Sequence, residues 1–142
     1  MTTSTTRRRA LAAATLLALA GPALAQDAWP SKPVRMIVPF SPGGSTDVVA
    51  RMVGQRLSAL WNQPVVVENR AGAGGNVGAD VVAKAPGDGY TLLMASGSVT
   101  INPSLYKRMP FDTKKDLMPI TNVAQGPMLV VVQDGSPHKS LK

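Results

Sequence analysis

The sequence predicts an α/β fold built on a mainly parallel sheet, and three repeated features lead to this prediction. Three short apolar runs are rich in β-branched residues, which is typical of buried strands. Each run is followed by a loop rich in small polar residues and glycine, and each loop is followed by a helical stretch. Strand, loop and helix in three successive units indicate a parallel sheet covered by helices.

The first unit begins with a predicted strand over residues 34–40, V-R-M-I-V-P-F. The loop 41–44, S-P-G-G, ends this strand because proline and paired glycines break regular structure. Residues 45–47, S-T-D, are all good helix caps. Apolar residues then recur with helical spacing over residues 48–61, which predicts a helix with one buried face.

The second and third units repeat this order. Residues 64–68 form the second predicted strand, and the glycine-rich loop 69–75, N-R-A-G-A-G-G, leads into a helix that Asn76 is expected to cap. Residues 90–95 form the third predicted strand. The small polar loop S-G-S follows it and leads to a short helical stretch around residues 104–106.

The C-terminal part is less regular. A short strand is expected over residues 118–123 and a clearer one over residues 128–132, M-L-V-V-V. Ser140 is a candidate cap for a further helix. Since a domain does not normally stop at the first turn of a helix, the sequence favours a longer protein, with a frayed natural tail as the alternative.

The first 25 residues are typical of a cleavable secretion signal. Three arginines at 7–9 precede an apolar run at 10–20, and alanines occupy positions 23 and 25, the small-residue positions before a cleavage site. The apolar run is too short to cross a bilayer, which needs about 20 residues. We place the cleavage after Ala25. The three arginines also resemble a twin-arginine signal, so the general and twin-arginine export routes both stay open.

Charge and residue counts exclude several classes of function. The chain has 15 basic and 8 acidic residues and a net charge of +7, and loss of the signal leaves 12 basic residues and a net charge of +4. The basic residues are scattered, so we expect no nucleic acid partner. There is no cysteine, and His138 is the single histidine. We therefore expect no metal, no cofactor and no catalytic residue.

The candidate ligand site lies where the strands end, because open parallel sheets bind ligands at the carboxyl ends of their strands. Three loops are expected there, at 41–46, 69–76 and 96–98. Glycine allows a ligand to approach the backbone, and the N–H groups of a helix start attract anions. With the loop hydroxyls added, the pattern predicts a cradle for a carboxylate.

These loop residues also have purely structural interpretations. The glycines at 43–44 are consistent with a tight turn alone, and residues 45–47 with helix caps alone. For Asp47 we favour capping or an ion pair with Arg51 over ligand contact, since its charge would oppose an anion. Residues 69–70, N-R, either reach the ligand or close their loop.

Two enzymatic alternatives are weaker. An exported serine hydrolase would use Ser41, Ser45 or Ser96 as its nucleophile, but the sequence has no G-x-S-x-G motif and offers only His138 and distant lysines as a base. A nucleotide-binding enzyme would use the loop 69–75, which lacks both the G-x-G-x-x-G spacing and the lysine of a phosphate-binding loop.

Four sequence blocks resemble the Bug receptors, the substrate-binding proteins of tripartite tricarboxylate transporters. The blocks are WPSKPVRMIVPFSPGGSTDVVAR at 29–51, VVVENRAGAGGNVG at 65–78, PGDGYTLL at 86–93 and LYKRMPFDTKKDLMPI at 105–120. They occur in the family's order and span nearly all of the chain after the signal.

This resemblance implies a periplasmic binding protein-like fold of type II, in which two lobes close on a ligand. The implied ligand is a small carboxylate such as a dicarboxylate, a tricarboxylate or an acidic amino acid, and the implied partners are the membrane permease subunits that receive it in the periplasm. The resemblance assigns residues 26–124 to the first lobe. Residues 125–142 become the crossover and the start of a truncated second lobe.

The resemblance also indicates which residues contact the ligand. In the family, contacts to the ligand carboxylate come largely from the loops after the first and third strands. The matching residues here are Ser41, Pro42, Gly43, Gly44, Ser45, Thr46, Asp47, Ser96, Gly97 and Ser98.

Overall fold

The computed structural model describes residues 29–127, 129–137 and 140. Contacts divide the chain into two units, Met1–Ser31 and Lys32–Lys142, and every helix and strand given below belongs to the second. The predicted signal at 1–25 lies outside the described residues. None of the helices in the described part of the chain is both long enough and apolar enough to cross a membrane.

A three-stranded parallel sheet forms the centre of this second unit. Strand β1 (Val34–Val38) lies between β2 (Val65–Asn69) and β3 (Thr91–Leu93), so the strand order is β2-β1-β3. In this register Met36 is opposite Val67 on one side and Leu92 on the other. The three strands are the three that the sequence predicts, and their parallel pairing is confirmed.

Three helices and one short turn of 3₁₀-helix connect and cover the strands. Helix α1 is Ser45–Trp61, α2 is Asn76–Ala83 and α3 is Ser98–Leu105, and the 3₁₀ turn is Ala73–Gly75. Helix α1 packs against β2 and β1, whereas α2 packs against β3 and β1. Gly54 of α1 is buried beside Val65 and Val67, which brings the helix close to β2.

Two hydrophobic clusters show that helices cover both faces of the sheet. Met36 and Val38 of β1 pack with Ala50 of α1 on one face. On the other face Ala79 of α2 packs with Val99 of α3, and Leu93 of β3 joins them. Successive side chains of a strand point to opposite faces, so β1 is buried from both sides. The predicted class, a parallel sheet flanked by helices, is therefore confirmed.

Helix α3 begins earlier than the sequence predicts, at Ser98 rather than near residue 104. Pro103 lies inside this helix, and because proline has no N–H group it leaves the carbonyl of Val99 without its helical donor. The hydroxyl of Thr113 donates to that carbonyl at 3.4 Å. A residue from outside the helix thus compensates for the proline, which local patterns could not indicate.

The predicted strands at 118–123 and 128–132 are wrong for the residues that the structure describes, which excludes Met128. Residues 118–127 and 129–132 are in neither helix nor strand. Their apolar side chains are exposed, with Met118 at 90% and Val131 at 81%. A strand exists only where another strand completes its hydrogen bonds, and none of the three strands of the described sheet pairs with these residues. The proposed helix after Ser140 lies almost wholly outside the described residues.

Candidate ligand-binding site

The loops after β1 and β3 separate at one end of the sheet. From β1 the chain passes through α1 to β2 on one side, and from β2 it passes through α2 to β3 on the other side of β1. The loop after β1 therefore enters α1 on one face, and the loop after β3 enters α3 on the opposite face. A reversal of strand order of this kind opens a crevice at the carboxyl ends of the strands.

An open cavity of about 610 Å³ occupies this crevice, a volume within the usual range for small-molecule sites of about 300–1,000 Å³. The two loops and the first turn of α1 supply its lining, which is Phe40, Ser41, Pro42, Gly44, Ser45, Thr46 and Ser96. Six of the ten site residues expected from the sequence are among them. Phe40 was missed because it was assigned to the strand, although its place at the carboxyl end of β1 was the signal that could have revealed it.

Helix α1 starts at the cavity without a side-chain cap. Its N-cap residue is Gly44, in an extended conformation and with no side chain to offer, so the prediction that residues 45–47 cap the helix is wrong. Ser45, Thr46 and Asp47 are instead its first three helical residues. The N–H groups of a first turn have no partner within their own helix, and here the first two of these residues line the cavity.

Asp47 is buried, with 3% of its surface exposed, and its carboxylate is fully engaged by the protein. Its Oδ2 accepts from Nε of Arg51 at 3.0 Å and from the N–H of Gly43 at 2.9 Å, and its Oδ1 accepts from Nδ2 of Asn69 at 2.9 Å. The hydrogen bonds from Arg51, Gly43 and Asn69, in that order of size, lower the pKa of Asp47 to about 2. The predicted ion pair with Arg51 is confirmed, and Asp47 is not among the lining residues.

Asn69, the last residue of β2, closes the network around Asp47. Its Nδ2 also donates to the carbonyl of Phe40 at 3.0 Å, and its Oδ1 accepts from Arg51 at 3.1 Å. Of the two alternatives for residues 69–70, the contacts of Asn69 are those of loop closure. Arg70 instead donates to Glu68 at 3.2 Å.

The loop after β3 is held by uncharged groups. The hydroxyls of Ser96 and Ser98 lie 3.0 Å apart, and the N–H of Ser98 donates to Ser96 Oγ at 3.3 Å. Gly97 occupies the N-cap position of α3. Ser96 lines the cavity, whereas Gly97 and Ser98 do not. The side chain of Ser98 contacts the hydroxyl of Ser96 instead.

The glycine-rich loop after β2 lies behind the cavity. A Cβ atom on Gly75 would stand 3.3 Å from Ser98 Oγ and 3.4 Å from Phe40 Cζ, so the backbone here is in contact with both flanking loops. Gly75 also has a positive φ of 97°, which only glycine adopts without strain. This loop therefore packs against residues of both lining loops and contributes no lining residue of its own.

A buried pair of asparagines links the glycine-rich loop to α3. Asn102 of α3 donates through Nδ2 to Asn76 Oδ1 at 2.7 Å and to the carbonyl of Gly74 at 3.0 Å. Asn76 was expected to cap α2, but the N-cap residue is Gly75, and the Asn76 side chain points into this pair instead. Asn76 was predicted as a helix cap and Asn102 lies before the helical stretch predicted around residues 104–106, so local patterns did not pair the two.

The polar groups of the cavity lining are uncharged hydrogen-bonding groups. The lining offers four hydroxyls and the N–H groups of a helix start, and no lining residue carries a charge. The nearest charged side chains, Asp47 and Arg51, are paired with each other. Among the described residues no three His, Cys, Asp or Glu side chains lie close enough to hold a metal ion.

The fold is that of a partial lobe of an α/β binding protein, and its cavity lies at the point where the strand order reverses. The chain belongs to the family of tripartite tricarboxylate transporter receptors, whose family model matches residues 49–142. The resemblance to the Bug receptors is thereby confirmed.

Individual relatives agree with this assignment. Protein BugT of Bordetella pertussis is 48% identical over 107 residues, which are 74% of this chain and 33% of BugT. The structure of the periplasmic binding protein BugD superposes with a TM-score of 0.60 at 41% identity, and that of R. palustris Rpa4515 with adipate superposes with a TM-score of 0.59 at 40% identity. These matches cover 62% and 61% of this chain and 29% of each solved structure. The chain thus spans about a third of the length of these relatives, a partial lobe of a periplasmic binding protein fold.

Proposed function

We propose that this chain forms the first ligand-binding lobe of a periplasmic receptor for a small carboxylate, such as a dicarboxylate, a tricarboxylate or an acidic amino acid. The observation that carries the proposal is the cavity at the strand-order reversal, with its hydroxyls, its uncapped helix start and no competing charge among its lining residues. The relative described with adipate, a dicarboxylate, supports this ligand class.

The lining residues bind a carboxylate through hydrogen bonds from hydroxyls and from backbone N–H groups. The hydroxyls of Ser41, Ser45 and Ser96 donate to its oxygens, together with the N–H groups at the start of α1. A hydrogen bond to a charged group contributes about 1.5–3 kcal/mol, and the dipole of α1 adds about 0.3–1 kcal/mol for an anion at its N-terminus. A second lobe then closes over the ligand.

The four remaining site residues expected from the sequence hold the two loops in place. Gly43 is fixed by Asp47, and Ser98 is bonded to Ser96. Gly97 starts α3 between the two serines. We assign these four to support rather than to direct contact, because none of them lines the cavity.

Location and partners follow from the same assignment. We place the mature protein in the periplasm, exported through the segment 1–25 and cleaved after Ala25, because the relative BugD is a periplasmic binding protein. The partners that receive the ligand are the permease subunits of a tripartite tricarboxylate transporter, which fits the family. Ligand delivery involves no covalent chemistry, and the hydroxyl of Ser98 beside Ser96 is not the base that a serine nucleophile needs.

Calorimetric titration of a full-length version, which includes the second lobe, tests the proposal. We expect heat of binding from at least one member of a panel of adipate, succinate, citrate and glutamate, and none from hexane-1,6-diol, which has the length of adipate without its charges. Ser45→Ala and Ser96→Ala should each weaken binding by about tenfold or more, since each removes a donor to a charged group. The exposed Ser104→Ala serves as the matched control. Folded protein that gives no heat with any carboxylate would contradict the proposal.

A further inference from the structure

We propose that Asp47, Arg51 and Asn69 form a positioning network, which sets the first binding loop for the ligand without touching it. This inference rests on the proposed function, because it assigns a role in carboxylate binding to residues outside the cavity lining. The network joins two elements to one loop: Asp47 and Arg51 belong to α1, and Asn69 ends β2.

The network fixes the first loop at both of its ends. At the start of the loop, the carbonyl of Phe40 accepts from Asn69 at 3.0 Å. At its far end, the N–H of Gly43 donates to Asp47 at 2.9 Å. Ser41 and Pro42 lie between these two anchors and line the cavity. The position of the Ser41 hydroxyl is therefore set by hydrogen bonds that the rest of the domain makes to its neighbours.

The network also neutralises the negative charge of Asp47 near the proposed ligand position. Asp47 follows Thr46, a lining residue, in the first turn of α1, so its negative charge lies beside the place where an anion binds. Arg51 lies one turn later and pairs with both carboxylate oxygens, at 3.0 Å in each case. The paired charges cancel, which leaves the helix start attractive to a carboxylate. Asp47 thus organises the loop, and Arg51 removes the repulsion that Asp47 would otherwise cause.

Charge compensation distinguishes this role from a contribution to folding alone. In Arg51→Gln the Asp47 charge is left unbalanced beside the ligand, so we expect weaker adipate binding. Adding Asp47→Asn to that variant removes the unbalanced charge, so the double variant should bind adipate more tightly than Arg51→Gln. A purely structural role predicts the opposite order, because the double variant has lost more hydrogen bonds.

A ligand-independent measurement completes the test and separates it from the proposed function. Hydrogen exchange of the Gly43 and Gly44 amides in the full chain reports the order of the first loop. Asn69→Ala and Asp47→Asn should each speed this exchange by about tenfold or more, the equivalent of one hydrogen bond to a charged group. Ser58→Ala is the matched control, because Ser58 bridges Gly54 O and Val65 N at the other end of α1, each at 2.8 Å.

The possible outcomes are distinct. Faster exchange in the network variants, with no change in Ser58→Ala, supports the network. Unchanged exchange of both loop amides in Asp47→Asn overturns the network. This variant keeps the shape of the side chain, so it also serves as the test if Asn69→Ala does not fold. If the unmodified chain exchanges as expected but binds no carboxylate of the panel, the proposed function fails while the loop-setting role stands. If it binds adipate and the double variant binds no better than Arg51→Gln, the compensation role is wrong.

Discussion

The two loops that line the cavity have the same position in the fold and are held by different chemistry. Each follows a parallel strand and leads into the start of a helix. The loop after β1 is anchored by a carboxylate, a guanidinium and an amide, those of Asp47, Arg51 and Asn69. The loop after β3 is anchored by the hydroxyls of Ser96 and Ser98 and supported from below by uncharged asparagines.

Loops at equivalent positions in the fold can therefore respond differently to a change in pH. An ionic anchor loses strength when its carboxylate is protonated, whereas a hydroxyl anchor does not titrate in the same range. The ionic anchor also draws on side chains from two elements, α1 and β2, so it depends on their packing. The hydroxyl anchor is local, because its two serines are separated by only Gly97.

The largest expected loss of stability comes from the close packing of α2 against the residues just before the first loop. A Cβ atom on Gly78 of α2 would stand 2.7 Å from Pro39 Cα and 2.9 Å from the carbonyl of Arg70. Both atoms are backbone, so Gly78→Ala must displace the end of β1 or the start of the neighbouring loop. We expect a loss of about 3 kcal/mol in the free energy of unfolding, at the upper end of the usual cost of overpacking.

Chemical denaturation measures this loss, and Gly87→Ala is the control because nothing lies within 4 Å of a Cβ atom there. Gly78→Ala should speed the hydrogen exchange of amides in the loop after β1 more than that of amides in the loop after β3. Equal stability of the two variants would contradict the close contact between α2 and Pro39.

A smaller effect is expected from the support beneath the third loop. Asn102→Ala leaves the carbonyl of Gly74 and the Oδ1 of Asn76 without their donor, and both asparagines are buried. An unsatisfied buried polar group costs about 1–3 kcal/mol, and we expect a loss near 2 kcal/mol in the free energy of unfolding.

Ser104→Ala, an exposed change on the same helix, should leave stability nearly unchanged in the same denaturation experiment. If Asn102→Ala disturbs the amides of the first loop as much as those of residues 96–98, the two loops do not have separate supports.

The smallest effect is confined to acid and separates the two anchors most directly. The pKa of Asp47 in the folded chain is about 2, below its ordinary value of 3.8, so its contribution is complete above about pH 4 and is lost as the pH falls towards 2. We expect protection of the Gly43 amide to fall over this range. Protection of the Val99 amide, which donates to the carbonyl of Ser96, should be maintained.

Two variants control for other carboxylates. Glu68, whose pKa is also lowered to about 2 by Arg35, titrates in an overlapping range, so Glu68→Gln removes its share of the acid response. Asp47→Asn should be less stable than the unmodified chain at neutral pH, and the difference should shrink as the pH falls. A constant difference down to pH 2 would show that the Asp47 charge does not anchor the loop.

Much of the fold could be predicted because its signals are local. The strands β1, β2 and β3 are β-branched apolar runs bounded by proline or glycine, and α1 is a regular amphipathic repeat. The exposed run Leu129–Val132 shows the limit of this logic, because an apolar run predicts a strand only where a partner strand exists. Helix α3 was placed too late, since the Thr113 hydroxyl that completes its hydrogen bonds around Pro103 comes from beyond the helix.

Local sequence patterns were sufficient to predict the units of this protein, namely three strands, their loops and the helix over residues 48–61. Tertiary structure decided which loops meet. Because pairing places β1 between β2 and β3, the loops after β1 and β3 enclose the cavity, and the glycine-rich loop lies behind them. The role of Asp47 was decided in the same way, since its partner Asn69 arrives only when β2 pairs with β1. Hydrogen bonds between elements depend on their packing in space, and local sequence patterns do not contain that information.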